Sequence, residues 1–175
     1  MDHIIIEGFI GSGKGAVARA VGKKRKLPVV DVDRRIADRL KMTTAEIYDR
    51  FGEPYYRAME NIVLSEMTDS KKRSVIVLGS GVAMMPQNQA CLKELGCVYY
   101  IKLKQQTIID HMKKSEKHGW IRSENWDEQV CRLYKEREPA YKKTADVVIS
   151  ADGKTAEEIA EQIAAMDAER TGEEA

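Results

Sequence analysis

The sequence predicts a three-layer α/β/α domain built on a five-stranded, mainly parallel sheet, and three observations carry that prediction. Five short apolar runs recur along the chain, longer amphipathic segments separate them, and a glycine-rich loop joins the first run to the first such segment. The runs are Ile4-Ile5-Ile6, Val29-Val30-Asp31-Val32, Val75-Ile76-Val77-Leu78, Val98-Tyr99-Tyr100-Ile101 and Val147-Val148-Ile149. They are β-branched or aromatic and continuous rather than alternating, the pattern of strands covered on both faces. Strands that alternate with helices pair in parallel, because each crossover must carry the chain back across the sheet.

The intervening segments read as helices over Lys14–Lys23, Thr44–Phe51, Tyr55–Thr68, Gln87–Leu95, Thr107–Lys114, Asp127–Lys142 and Ala156–Met166, with Thr43 as an N-cap. A chain of 175 residues suits one domain, expected over 1–168 with a lid near 112–125. The stretch 169–175 reads as a polar, frayed tail. Apolar residues make up 43% and charged residues 33%, and the formal net charge is +1. That balance gives no field aimed at nucleic acid or a membrane surface. No apolar run approaches the length of a membrane span. The start of the chain runs into Ile4 without a basic leader, so no secretory signal is expected. Cys91, Cys97 and Cys131 lack paired spacing and suit free thiols in a reducing compartment, so the expected location is the cytoplasm.

Gly8-Phe9-Ile10-Gly11-Ser12-Gly13-Lys14 satisfies G-x-x-x-x-G-K between a strand and a helix. Gly8, Gly11 and Gly13 let the backbone curl so that the N–H groups around Ser12, Lys14, Gly15 and Ala16 form an anion-binding nest at a helix N-terminus. Lys14 adds a full charge where the β- and γ-phosphates of ATP would lie. The residue after this lysine is normally Ser or Thr, whose hydroxyl holds Mg²⁺. Here it is Gly15, which has no side-chain oxygen.

Asp31-Val32-Asp33 ends the second run. On an extended chain the i, i+2 spacing turns both carboxylates to one face, and in open α/β sheets ligands bind beyond the carboxyl ends of the strands. One carboxylate could hold a metal through water and the other could deprotonate a substrate hydroxyl. The alternative for Asp33 is the N-cap of a helix over the residues that follow.

Several motifs in order now resemble the shikimate kinases. Asp31-Val32-Asp33 matches a D-x-D. Met42-Thr43-Thr44-Ala45-Glu46-Ile47 matches M-[TS]-I-x-E-I, and Gly52-Glu53-Pro54-Tyr55-Tyr56-Arg57-Ala58-Met59-Glu60 matches G-E-x-x-F-R-x-x-E. Leu78-Gly79-Ser80-Gly81 stands at a triple glycine, and Arg137-Glu138-Pro139-Ala140-Tyr141 resembles R-x-P-L-Y. The resemblance spans residues 4–150. It implies a nucleoside-monophosphate-kinase-like fold and transfer of the ATP γ-phosphoryl group to the 3-hydroxyl of shikimate, by a cytoplasmic, Mg²⁺-dependent monomer. It assigns Asp33 to the substrate hydroxyls as base, Lys14 to the γ-phosphate and Asp31 to the metal. Arg57 and Arg137 clamp the shikimate carboxylate, and Gly79 and Gly81 let the backbone approach the ring. A guanidinium fork matches a carboxylate bidentately. Read without the family, either arginine is a surface ion pair, for Arg57 with Glu60 or Glu53.

Departures from the family cluster on the nucleotide side. His111 stands where an arginine stacks on adenine. His118 stands where a lid arginine reaches the phosphates, with Lys117 and Arg122 as other candidates for that cation. Ser80 replaces the middle glycine. Missing lid charge and a missing metal ligand should slow a transfer that runs on electrostatics. Two further readings follow: a weakly active or inactive shikimate-binding protein of the same fold, and a kinase for another small hydroxy acid such as gluconate.

Overall fold

The computed structural model describes residues 2–115 and 124–173. Among them, five strands form one parallel sheet: β1 (His3–Gly8), β2 (Val29–Asp31), β3 (Val75–Val77), β4 (Gly96–Lys102) and β5 (Val147–Ser150), in the order β2-β3-β1-β4-β5. Ile5 lies opposite Ile76 on one side and Val98 on the other. Strand β1 is therefore central, with β3 and β4 on opposite sides of it, and the crevice at its carboxyl end is the topological switch point. The helices are α1 (Lys14–Arg25), α2 (Val32–Leu40), α3 (Thr44–Thr68), α4 (Pro86–Leu95), α5 (Gln105–Ser115), α6 (Trp126–Thr144) and α7 (Ala156–Thr171), with a 3-10 turn at Val82–Met84.

Alternation along β1 explains why its run is continuous. Ile4 and Ile6 enter a core with Val17, Val21, Ile159 and Ile163, while Ile5 enters a second core with Ile36, Ile47, Val63 and Leu64. All three isoleucines are buried because helices cover both faces. The edge strands depart from that expectation: Val29 on β2 and Val148 on β5 are exposed.

The two helices expected over 44–51 and 55–68 form one element with a kink, α3. At Gly52 φ is +79°, a conformation that side-chain-bearing residues adopt at a cost. Thr43 caps α3 in a complete capping box with Glu46. Helix α7 continues past Met166 to Thr171, which corrects the expectation of fraying from Glu169. Its buried Asp167 accepts from Arg25 (3.0 Å), Arg73 (2.5 Å) and Arg170 (2.8 Å), and Arg170 also pairs with Asp2. This network ties the end of the chain to its beginning.

A buried acid underlies the glycine loop. Glu7 is enclosed on β1, with the Thr144 hydroxyl 2.7 and 2.9 Å from its two carboxylate oxygens. Burial pushes its pKa up to about 8, Asp146 adds to the rise, and the Thr144 hydrogen bond opposes it. The folded state thus holds a proton that the unfolded chain releases above the ordinary glutamate range, near pH 4.5. Stability contributed by the neutral form declines as pH rises from there through about 8. Replacing Glu7 by Gln should flatten this decline and raise stability at pH 8 by a few kcal/mol relative to pH 5. Thermal melts of both proteins across that range would measure it.

Candidate active site

The glycine loop folds as its sequence requires. Gly11 and Gly13 take φ of +75° and +78°. A Cβ on Gly8 would lie 2.8 Å from Ser12 Oγ and 3.1 Å from the Ile101 carbonyl, so the loop closes on a residue without a side chain. Helix α1 opens with neither a side-chain cap nor an acid in its first turn. Its leading amides keep their partial positive charge for an external anion. Two of the predicted amide contacts are engaged within the loop: Ser12 donates to the Phe9 carbonyl at 3.2 Å, and Ala16 to the Gly13 carbonyl at 3.0 Å. Ser12 is buried, and its hydroxyl has no hydrogen-bond partner. Lys14 reaches back to within 3.5 Å of the Phe9 carbonyl. Burial lowers its pKa, and Asp33 and Asp31 work against that effect. Helix α5 lies over the loop: Met112 packs near Gly11, and His111 Nδ1 is 3.1 Å from the Gly11 carbonyl, to which the Nδ1–H tautomer donates. His118, Lys117, Arg122 and most of the expected lid lie outside the described residues.

The acidic pair differs from its sequence reading. Strand β2 ends at Asp31, and Asp33 already belongs to the first turn of α2. The pair does not share one face of an extended chain, and the cap is Asp31 rather than Asp33. Asp31 Oδ1 accepts the Arg34 amide at 3.1 Å, because the N-cap residue is the one whose side chain can turn back onto the free amides. Asp33 Oδ1 instead accepts the Tyr56 hydroxyl at 2.7 Å. Burial raises the Asp33 pKa, opposed by that hydrogen bond and by Lys14.

The loop after β3 brings the remaining groups together. A Cβ on Gly79 would lie 2.6 Å from both Asp33 Oδ1 and Glu60 Oε1, and one on Gly81 would lie 2.2 Å from the Arg57 guanidinium carbon. These two glycines therefore make room for carboxylates and a guanidinium of the chain itself. Arg57 is an ion pair, as its family-free reading has it, but a buried one: Nη1 donates to Glu60 at 2.6 Å and Nη2 to Glu53 at 2.9 Å. Glu60 is fully enclosed, and its Oε1 has no partner. Burial pushes its pKa up to about 7 against the pull of Arg57. Arg137, also buried, donates from α6 to Ser80 Oγ at 2.9 Å and to the Ser80 carbonyl at 3.3 Å. The Tyr141 hydroxyl donates to the same carbonyl at 2.5 Å. The serine that replaces the middle glycine thus anchors an arginine.

A cleft of about 280 Å³ runs from Gly11 and Lys14 past Asp33 and Tyr56 to Arg57 and Glu60. That volume is near the lower end of small-molecule sites, roughly 300 Å³, and suits a compact acceptor. Arg137 stands behind Ser80 and does not line it. The sequence reading missed Tyr56 as a partner of Asp33 and Ser80 as a partner of Arg137. Only the spacing of Glu60, three residues from Arg57 on a helix, carried a signal of its contact. Among the described residues, no group of three His, Cys, Asp or Glu could hold a metal ion, and Cys91, Cys97 and Cys131 are free. No helix among them is long and apolar enough to cross a membrane.

Helix amides and a glycine loop on one side of Lys14, with a carboxylate facing a small cleft on the other, are what phosphoryl transfer calls for. Fold and site together define a P-loop kinase for a small molecule. The comparisons narrow this class. The family model described as shikimate kinase matches residues 10–167. A shikimate kinase of Thermodesulfovibrio yellowstonii is 35% identical over 163 residues, covering 93% of each chain. One of Legionella pneumophila is 32% identical over 161 residues, 92% of this chain and 91% of the relative. The solved structure of a shikimate kinase from Acinetobacter baumannii in complex with shikimate matches with a TM-score of 0.89 at 25% identity, covering 97% of this chain and 94% of that one. A shikimate kinase structure from Aquifex aeolicus shares the fold with a TM-score of 0.81 at 24% identity, covering 97% of this chain and 99% of that one. The chain belongs to the shikimate kinase family, and its activity is that of an ATP-dependent kinase.

Proposed function

We propose that the cleft between Lys14 and Arg57 binds shikimate, with Asp33 as the base that takes the proton of its 3-hydroxyl. The observation that carries this reading is the position of the Asp33 carboxylate. It lies in the cleft that Lys14 borders on the nucleotide side and Arg57 on the other. In the reaction, Asp33 Oδ2 accepts the hydroxyl proton as the 3-oxygen bonds to the γ-phosphorus. The bond from that phosphorus to the β,γ-bridging oxygen breaks, and ADP leaves. Lys14 and the nest at Gly8, Gly11, Ser12 and Gly13 neutralise the phosphate oxygens as charge moves. Arg57, positioned by Glu60, holds the shikimate carboxylate, and Arg137 joins it on turning from Ser80, which now keeps it behind the cleft. His111 flanks the nucleotide from α5. The enzyme works as a cytoplasmic monomer, as one domain over 1–168.

For Mg²⁺ we assign Asp31, acting through water. A second hollow, of about 230 Å³ and lined by Lys14, Gly15, Asp31 and Asp33, gives the ion room beside hard oxygen donors. Mg²⁺ keeps several waters and is commonly held by one or two carboxylates and the substrate phosphates, so this donor set fits it. When bound, the ion offsets charge on the phosphates. Gly15 removes one direct ligand. A Cβ there would meet only Arg19 Nη1, at 3.6 Å, so a serine fits. Gly15→Ser should lower the Mg²⁺ concentration for half-maximal rate several-fold. It should also tighten Mg²⁺–ADP binding by calorimetry to a similar degree.

The reading is tested with a panel of acceptors under saturating ATP and Mg²⁺. Shikimate-dependent ADP release, with gluconate inert, supports it. Turnover with gluconate alone would transfer the site to another hydroxy acid, and binding of shikimate without turnover would make the protein a binder.

A further inference from the structure

We propose that Tyr56 is a positioning residue for the base: its hydroxyl holds Asp33 Oδ1 so that Oδ2 alone is presented to the acceptor. The inference rests on the reading of Asp33 as the base. Two contacts fix the arrangement. Tyr56 Oη donates to Asp33 Oδ1 at 2.7 Å, and a carboxylate oxygen engaged in a charge-assisted bond turns less freely about its terminal torsion. The same Oδ1 abuts Gly79, where an added Cβ would lie 2.6 Å away. The hydroxyl and the backbone therefore bracket one oxygen of the pair.

The tyrosine itself is immobilised. Its side chain is 2% exposed, its ring packs on Tyr48 at 4.6 Å between centroids, and the Arg57 guanidinium lies 5.9 Å from its centroid. Both partners stand on helices that pack on each other, Asp33 in the first turn of α2 and Tyr56 beyond the Gly52 kink of α3, so the bond is held between two fixed elements. Lys14, Asp31, Arg57 and Glu60 act on Asp33 through charge, whereas Tyr56 holds its carboxylate by a hydrogen bond. The family motif places a phenylalanine where this chain has Tyr56, so the hydroxyl is a departure that keeps the ring and adds a restraint.

The role belongs to orientation rather than binding, and the consequences separate accordingly. In Tyr56→Phe the ring and its packing persist and one hydrogen bond is lost. The expected result is a fall in kcat of about three- to tenfold, the range that a net hydrogen bond supports. KM for shikimate and for ATP should each stay within about twofold, as befits an interaction spent on the transition state. In an Asp33→Asn background the same substitution should change residual turnover by less than about twofold, because its effect runs through the carboxylate. An unchanged kcat in the single variant overturns the proposal. So does a rise in KM for both substrates together with a lowered melting temperature, which marks a purely structural tyrosine. If Asp33→Asn leaves no measurable residual rate, the kcat-against-KM split decides alone. Failure of the underlying reading is distinct: there, Asp33→Asn by itself retains turnover, whatever Tyr56→Phe does.

Discussion

Replacing Asp33 by Asn should lower kcat by about 10²- to 10⁴-fold, the range expected when a positioned general base is removed. The substitution is isosteric, and the Asn carbonyl can still accept the Tyr56 hydroxyl, so shikimate should bind with an affinity within a few-fold of the parent. Stability should hold or rise. Burial raises the pKa of Asp33, so its ionised form costs the folded state free energy as pH rises above the ordinary aspartate range. A neutral amide removes that cost. Steady-state rates, shikimate calorimetry and thermal melts on one preparation give the three readouts. A kcat within tenfold of the parent would remove Asp33 from the chemistry.

The second large effect is at Arg57, where binding and stability meet. Arg57→Leu should destabilise the protein by about 3–5 kcal/mol, the cost of stripping one partner from a buried ion pair. Glu60 is left enclosed, with no guanidinium against it. Its pKa is already about 7 beside Arg57, which holds it down, so without Arg57 it rises further. The variant should therefore regain stability as pH falls and Glu60 is protonated, opposite to acid denaturation driven by paired carboxylates. Arg57→Lys keeps the charge but not the fork. It should fold with a smaller loss and raise KM for shikimate roughly ten- to hundredfold, leaving KM for ATP near that of the parent. Urea melts at pH 5.5 and 7.5 would test the first pair of expectations, and steady-state kinetics the second.

What the sequence made legible was local or periodic. The five strands and the glycine loop announce themselves because β-branched runs, glycine spacing and the following helix are contiguous, and each falls where expected. Thr43 is legible for the same reason, since a capping box is a four-residue pattern. The division of labour between Asp31 and Asp33 was not, because it depends on whether the chain leaves the strand one residue earlier or later. Contacts that shape the cleft join residues far apart in sequence: Tyr56 and Asp33 are separated by 23 positions, Arg137 and Ser80 by 57. No window of sequence holds both members of such a pair. Glu7 is the clearest case. A charged residue at the end of an apolar run reads as the point where a strand meets solvent, whereas α6 covers it with Thr144. Tertiary packing placed it inside, and local pattern had no access to that.

The central claim is transfer of a phosphoryl group from ATP to the 3-hydroxyl of shikimate in this cleft. Phosphorus NMR of a reaction holding the protein, ATP, Mg²⁺ and shikimate tests it most directly. A new monoester resonance coupled to the proton on C3, growing in step with ADP and absent with Asp33→Asn, is the predicted result. ADP formation with inorganic phosphate in place of the ester, or ATP unchanged with shikimate bound, would contradict it.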